Sequence, residues 1–422
     1  MAADSVVTSA KLETDGRVDI LAQNGSIAIG GAIDPSMVTL TAAGGVAVDA
    51  AVEADDSITV VAGTDGTGSV NVNAAGSLET LAAGSDIFLT AGATAGDINL
   101  AGNVTAVDIV DLTADAGSIL QSAGTAAANF LAFSSGGSVT LANLAVSSAT
   151  GTSMGDVALS NTGPLDVLGL DSSGGNVDVA TTLGLTASGQ IASLGGDVDL
   201  SGESVLLSAE VNAGVGDASL TATGGSISGA GRVTADALVF NSDDAVMLNS
   251  LAVSTVTGES SFGGSIALVN TGALEILGLD SGGGDIDVTS DLALTIGGLV
   301  SSCGGNIALE GALLALNSAV DAGLGDIFLT ATTGDIIGGG LVRADALTAV
   351  AVSGIDLNTS VNALDAAASG TGAILVDEAD TIDLADLDTA DGSIAVTAGE
   401  GITAGAVTAN GEISLSSEFS IT

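Results

Sequence analysis

The chain has 422 residues with 62 glycines and two prolines, and it contains no tryptophan, tyrosine or histidine. Four Lys and Arg stand against 51 Asp and Glu, and the formal net charge of −47 repels nucleic acid phosphates and anionic lipid headgroups. No apolar run approaches the roughly 18–20 residues of a membrane-spanning helix. We therefore expect neither nucleic-acid binding nor membrane insertion.

The composition favours a narrow, ordered interior. Hydrophobic residues make up 46% of the chain but aromatic residues only 2%, so Ala, Val, Ile and Leu must build the core. Disordered chains of high charge lack such hydrophobicity. The single cysteine, Cys303, excludes an intrachain disulfide, and because it aligns with Leu194 in an internal repeat we interpret it as a small core residue.

Internal repetition organises the chain. Residues 161–179, NTGPLDVLGLDSSGGNVDV, return 109 positions later as NTGALEILGLDSGGGDIDV at 270–288. From N to C terminus the chain divides into degenerate coils at 1–154, super-repeat A at 155–263, super-repeat B at 264–371 and terminal coils at 372–422. We expect these four segments to form one continuous solenoid over residues 1–422.

A shorter repeat of about 20 residues runs inside the long one. Strand-like segments of the form Gly-polar-(Ile/Val)-x-(Leu/Val) recur, such as GDVAL at 155, GNVDV at 175, GDVDL at 196, GDIDV at 284 and GDIFL at 325. Their alternation is typical of strands, and equivalent residues at a near-constant step favour parallel stacking. The sequence thus predicts an all-β parallel β-solenoid, with three short strands per coil and roughly 20 coils. At the usual ladder spacing these would form a rod of roughly 95 Å.

Three segments interrupt the regular step between Gly-led strands, which lengthens there to 27 or 28 residues. They lie near 147–155, 254–263 and 363–371, and the first two read SSATGTSMG and STVTGESSFG. We predict that they bulge out as loops at one corner.

The candidate ligands are carboxylates. Asp, Asn or Ser follows each corner glycine, and stacked coils would align these oxygens about one ladder spacing apart, where calcium would relieve their repulsion. The candidates for loosely bound calcium are Asp197, Asp199, Asp217, Asp285, Asp287 and Asp326. Solvation and salt screening are the alternative explanation. With no His or Tyr, we expect no catalytic residues, no enzyme activity and no other cofactor.

The rhythm of GDIFLTATTGDIIGGGLVRADAL (325–347) and GSIAVTAGEGITAGAVTANGEISL (392–415) resembles the repeats of filamentous haemagglutinin-like surface proteins. The resemblance implies a right-handed parallel β-helix in a secreted or surface-displayed bacterial filament protein. We therefore expect an extracellular or cell-surface, non-catalytic structural rod or adhesin segment that contributes to a bacterial surface filament.

Two alternatives stay open. The chain would otherwise be a head-to-tail self-assembling filament subunit of an extracellular matrix, or a binding module whose recurring corner loops contact a glycan or a host protein. The expected partners are accordingly further copies of the chain, further repeats of a larger chain, or a glycan or host surface.

Overall fold

The computed structural model describes residues 4–422, which fold into two compact units, residues 4–216 and residues 217–422. Each unit is an all-β parallel solenoid, and together they contain about 21 coils of about 20 residues. The predicted fold class is confirmed.

The first unit consists of short strands separated by tight corners. Its strands are β1 Ser5–Thr8, β2 Leu12–Glu13, β3 Arg17–Ala22, β4 Ser26–Ile29, β5 Ile33–Asp34, β6 Met37–Ala42, β7 Val46–Val48, β8 Ala51–Ala54, β9 Ser57–Val61, β10 Val70–Val72, β11 Ser77–Thr80, β12 Asp86–Ala91, β13 Ile98–Leu100, β14 Asn103–Thr105, β15 Ile109–Ala114, β16 Ile119–Gln121, β17 Ala126–Ser135, β18 Val139–Ser153, β19 Val157–Asn161, β20 Leu165–Ser172, β21 Val177–Thr181, β22 Leu185–Ala187, β23 Ile191–Ser193, β24 Val198–Gly202, β25 Val205–Leu207 and β26 Val211–Asn212.

The second unit has the same construction, with one 3-10 turn at Ser261–Gly263. Its strands are β27 Ala218–Ala222, β28 Ile227–Gly229, β29 Val233–Thr234, β30 Ala237–Ser242, β31 Val246–Ala252, β32 Thr255–Ser260, β33 Ile266–Asn270, β34 Leu274–Asp280, β35 Ile286–Ser290, β36 Ala293–Ile296, β37 Val300–Ser301, β38 Ile307–Gly311, β39 Leu313–Leu316, β40 Val320–Asp321, β41 Ile327–Ala331, β42 Ile336–Ala351, β43 Ile355–Ala368, β44 Ile374–Glu378, β45 Ile382–Thr389, β46 Ile394–Ala398, β47 Ile402–Ala409 and β48 Ile413–Ser417.

Each strand pairs in parallel with its counterpart one coil later, as the constant repeat step predicts. In the first unit the three strands of one coil, β21, β22 and β23, pair with β24, β25 and β26. Because side chains alternate across a strand, every second residue enters the interior. In the second unit the inward column Ile266, Ile286, Ile307, Ile327 is at most 1% exposed.

The prediction of three corner loops is wrong for most of their length, because those segments are mainly strands and only their ends, such as the 3-10 turn Ser261–Gly263, form corners. Residues 147–153 belong to β18, residues 255–260 to β32 and residues 363–368 to β43. The coils concerned are also the shortest: β17 and β18 pair at a step of 18 residues, and Leu347 pairs with Leu364, a step of 17. Strands β18 and β43 each continue around a corner that has no glycine turn, so the spacing between Gly-led strands is longer than one coil.

The expectation of a buried Cys303 is also wrong. Cys303 is exposed, with φ of 51°, and it lies in the corner that follows the buried hydroxyl of Ser302. The equivalent Leu194 is 70% exposed. The alignment of the two residues was right, but both occupy the tip of a Ser-x-Gly-Gly corner, outside the period-2 alternation of the strands.

Candidate functional site

The polar residue after each corner glycine builds a hydrogen-bonded ladder. In the second unit, Oγ of Ser265 accepts the N–H of Asp285 at 3.3 Å, and Oδ1 of Asp285 accepts the N–H of Asn306 at 2.8 Å. Oδ1 of Asn306 accepts the N–H of Asp326 at 2.9 Å, and Oδ1 of Asp326 accepts that of Ala346 at 3.2 Å. Each side chain therefore satisfies a corner N–H of the following coil, which explains why Asp, Asn and Ser interchange here.

The calcium candidates occupy two different environments. Asp197, Asp217, Asp285 and Asp326 belong to these corner ladders, whereas Asp199 and Asp287 lie within strands. Within residues 4–422, no three His, Cys, Asp or Glu side chains converge as a metal site would require. Loose association of calcium with these carboxylates stays a prediction.

One candidate faces another carboxylate directly. Asp199 pairs in register with Asp178 on the preceding coil, while Asp287 has Ala267 and Ala308 as neighbours. Desolvation, and after it the charge of Asp199, raises the pKa of Asp178 above its ordinary value. Like charges on adjacent strands oppose each other, so this pair lowers rather than raises the stability of its ladder.

Two surface grooves lie at equivalent positions that are one super-repeat apart along the chain. A groove of about 360 Å³ in the second unit is lined by Val239, Phe240, Asn241, Thr257, Gly258, Glu259, Gly278, Leu279, Asp280, Leu299 and Ser301. A groove of about 290 Å³ in the first unit is lined by Thr150, Gly151, Thr152, Leu168, Gly169, Leu170, Asp171, Gln190 and Ala192. The segments predicted as loops thus supply walls of both grooves, although as strands.

A β-bulge at the same place accompanies each groove. The register shifts so that Leu168 and Leu277 are the extra residues, and their side chains are 47% and 49% exposed. A Cβ on Gly298, in the following coil, would come within 1.7 Å of the Leu277 carbonyl oxygen, so only glycine fits beside the bulge. The repeated LGL triplet is the sequence signal for these bulges.

Oxygen-bearing side chains cross the larger groove on four successive coils. Asn241, Glu259, Asp280 and Ser301 are neighbours in register, and Nδ2 of Asn241 donates to Oε1 of Glu259 at 2.9 Å. Apolar Leu299 and the backbone of Gly278 complete the surface. Such a groove offers hydrogen-bond acceptors beside a flat apolar floor.

A buried polar side chain recurs at another corner of each repeat. Oδ1 of Asn161 accepts the N–H of Val146 at 2.9 Å, and Oδ1 of Asn270 accepts that of Val253 at 3.0 Å. Both asparagines are at most 2% exposed and lie where the pairing register shifts. The side-chain amide replaces the ladder partner that the shift removes.

The same corner occurs a third time with a carboxyl group. Oε2 of Glu378 accepts the N–H of Val361 at 3.2 Å and the hydroxyl of Thr359 at 2.7 Å. Thr359 takes the place that Leu251 has in the preceding repeat. Burial raises the pKa of Glu378 above its ordinary value, although hydrogen bonds from Thr359 and from backbone N–H groups oppose this shift.

Replacing Glu378 by Gln should stabilise the chain increasingly as the pH rises above 4.5, the ordinary pKa of Glu, towards the raised folded-state pKa. A raised folded-state pKa means that the unfolded state loses the proton first, so wild-type stability falls as the pH rises through the folded value. Gln keeps an acceptor for Val361 and carries no charge. Urea unfolding at several pH values measures the difference between variant and wild type.

The matched control is Asp377→Asn, which removes one carboxylate from the adjacent, exposed position. It should change stability little and without this pH dependence. A Glu378→Gln difference in unfolding free energy that does not change with pH would contradict the assignment of a buried titrating group.

No protein family, no curated protein and no solved structure matches this chain. Among residues 4–422, no helix has the length and apolar character needed to cross a membrane. The β-solenoid architecture is compatible with a β-helix repeat protein, while the likeness to filamentous haemagglutinin-like repeats stays a resemblance of sequence rhythm.

Proposed function

We propose that the chain is a non-catalytic structural or adhesin segment displayed outside the cell or on its surface, as part of a bacterial surface filament. The observation that supports this role most is the unbroken parallel pairing inside each unit, reinforced at the corners by side-chain ladders. Every added coil continues the same hydrogen-bonding pattern, so such a fold gains length without a new core. The sequence rhythm shared with filamentous haemagglutinin-like repeats points the same way.

The surface charge fits a scaffold that resists non-specific association. With four Lys and Arg against 51 Asp and Glu, the chain repels anionic polymers. The partners we propose are further repeats or copies that continue the solenoid, together with a glycan or host surface.

Immunogold labelling of intact source cells with an antibody against the purified chain tests this role. Label on extracellular filaments or on the cell surface is the expected result, with a cytosolic protein as the negative control. Label found only in sectioned cytoplasm would contradict an extracellular scaffold. Polysaccharide turnover that disappears in Asp285→Asn would contradict a non-catalytic role.

A second candidate function is glycan binding at the two grooves. Its support is the duplication of the groove at equivalent residues, together with the acceptor side chains of Asn241, Glu259 and Asp280. Carboxylate and amide oxygens accept hydrogen bonds from sugar hydroxyls, and the apolar floor suits a sugar ring.

A glycan array tests this candidate. Binding to a neutral oligosaccharide that weakens in Glu259→Ala and in Asp280→Ala, but not in Asp377→Asn on another surface, is the expected result. Equal binding by all three variants would exclude the groove as the site.

A further inference from the structure

Exposed apolar side chains line one corner of the second unit. Phe262 and Leu324 are each 89% exposed, and the side chain of Cys303 lies exposed between them. The strand ends that precede these corners pair in order, Glu259 with Asp280, Asp280 with Ser301 and Ser301 with Asp321, so the corners lie on four successive coils. These residues therefore occupy one corner on three of four successive coils, the coil after Phe262 having glycine there, and we name Phe262, Cys303 and Leu324 the corner ridge.

The corner ridge is a repeated feature. The equivalent residues 109 positions earlier, Leu194 and Val215, are 70% and 82% exposed in the first unit. A single exposed Leu is ordinary in a soluble protein, but apolar residues recurring at one corner of successive coils form a contact surface. The strands do not need these side chains, because they lie at the corner tips outside the core.

Carboxylates lie at both ends of the corner ridge and along one flank, with Arg343, which pairs with Asp321, as the cation near the Leu324 end. Asp243 and Asp244 occupy the same corner one coil before Phe262, because Ser242 pairs with Ser260. Asp345 occupies it one coil after Leu324, where its N–H donates to the carbonyl oxygen of Gly325 at 2.9 Å. Asp285 and Asp326 follow the corner glycines along its flank. The surface is thus apolar in the middle, with carboxylates at both ends and along one flank.

We propose that the corner ridge binds a basic amphipathic segment of another protein, with apolar side chains on the ridge and Lys or Arg side chains on the adjacent carboxylates. Charge complementarity selects this partner, because a second copy would bring acidic corners against acidic corners. Anionic membranes are disfavoured for the same reason. This inference is independent of where the chain is displayed.

A synthetic 18-residue amphipathic peptide of Leu and Lys serves as the probe, with a Leu and Glu peptide of equal length as its control. Cys303 is the only cysteine, so its alkylation by iodoacetamide reports occupancy of the corner ridge. The Leu-Lys peptide should slow alkylation saturably, and the Leu-Glu peptide should not. Fluorescence anisotropy of the labelled peptide gives the affinity.

Phe262→Ser and Leu324→Ser should each weaken binding about tenfold, as expected for the loss of one buried apolar side chain. Leu292→Ser, which removes a 55% exposed leucine from a different corner, is the matched control and should leave the affinity unchanged. Equal affinities for all three variants would overturn the proposal, since binding would then reflect the overall negative charge. Sedimentation that shows dimers of the free protein, lost in Leu324→Ser, would assign the ridge to a second copy and overturn it as well.

Discussion

Replacing Gly258 by Ala should lower the free energy of unfolding by about 2–3 kcal/mol. A Cβ at this position would lie 2.3 Å from the ring of Phe240, which is 2% exposed and pairs with Gly258 one coil later. The ring is buried in the narrow interior, so it would have to shift for the added Cβ to fit. Gly151 has the same relation to Phe133 in the first unit.

Super-repeat B indicates how the residue at the Phe240 position and the residue at the Gly258 position compensate for each other in size. There Ala349 stands where Phe240 does, and it pairs with Ala366, which stands where Gly258 does. A side chain with a Cβ is therefore present at the second position when the first side chain is small. Phe240→Ala alone should cost about 3–5 kcal/mol through the cavity it leaves. The double variant with Phe240→Ala and Gly258→Ala should be much less destabilised than the sum of the single variants. Urea unfolding followed by circular dichroism completes the cycle, and strict additivity would contradict the stacked packing.

Replacing Asn161 by Leu should destabilise the chain by about 3 kcal/mol although the side chains are similar in size. Asn161 bonds both the N–H and the carbonyl oxygen of Val146, at 2.9 and 3.0 Å, and its Nδ2 also donates to the carbonyl of Pro164 at 3.1 Å. Leucine has no amide group, so all of these hydrogen bonds would be lost. The backbone groups of Val146 would be left buried and unsatisfied.

The adjacent, outward-facing Ser160 supplies the control for this prediction. Ser160→Ala should change the unfolding free energy by less than about 0.5 kcal/mol. Thermal and urea unfolding of the two variants measure the contrast. Equal stability of Asn161→Leu and wild type would show that water replaces the amide, and that the corner does not depend on it.

Sequence periodicity predicted the fold because solenoid pairing is itself periodic. Columns such as Ile286 and Ile307 arise from like residues recurring at a step of about 20, and alternation within each strand identifies the inward side. The corner conformation was harder to predict. Residues 147–153 carry the small and polar residues typical of loops, yet they continue strand β18, because the neighbouring coils supply hydrogen bonds on both sides.

The buried polar corners were missed for a different reason. Asn161 and Asn270 begin the repeated NTG triplets and resemble turn residues, so nothing in a single copy marks them as interior. The signal becomes visible only when Glu378 is added as the third member, and Glu378 lies in the segment predicted as terminal coils, 372–422. Leu251 and Asn270 of one copy are both replaced in the next, by Thr359 and Glu378. This joint replacement indicates that the two positions are in contact.

The grooves were only partly predictable. The recurrence of Gly169 and Gly278 in equivalent LGL triplets indicates an unusual backbone conformation. A bulge, however, depends on the register with the neighbouring coil, and the sequence of one strand does not contain that register. The role of the ladder residues was likewise ambiguous. Asp285 and Asn306 suggested an array of ligand oxygens, whereas the structure directs one oxygen of each to a backbone N–H.

Disulfide trapping tests the central claim, that equivalent residues stack in register on successive coils, most directly. In a Cys303→Ser background, Ala267→Cys combined with Asp287→Cys places two thiols on outward positions that pair directly. Their Cα atoms lie about 4.8 Å apart, within the range that a disulfide spans. Ala267→Cys combined with Thr289→Cys is offset by two residues, which gives about 8 Å and prevents the bond. Rapid oxidation of the matched pair alone is the predicted result, and equal or faster oxidation of the offset pair would contradict the parallel register.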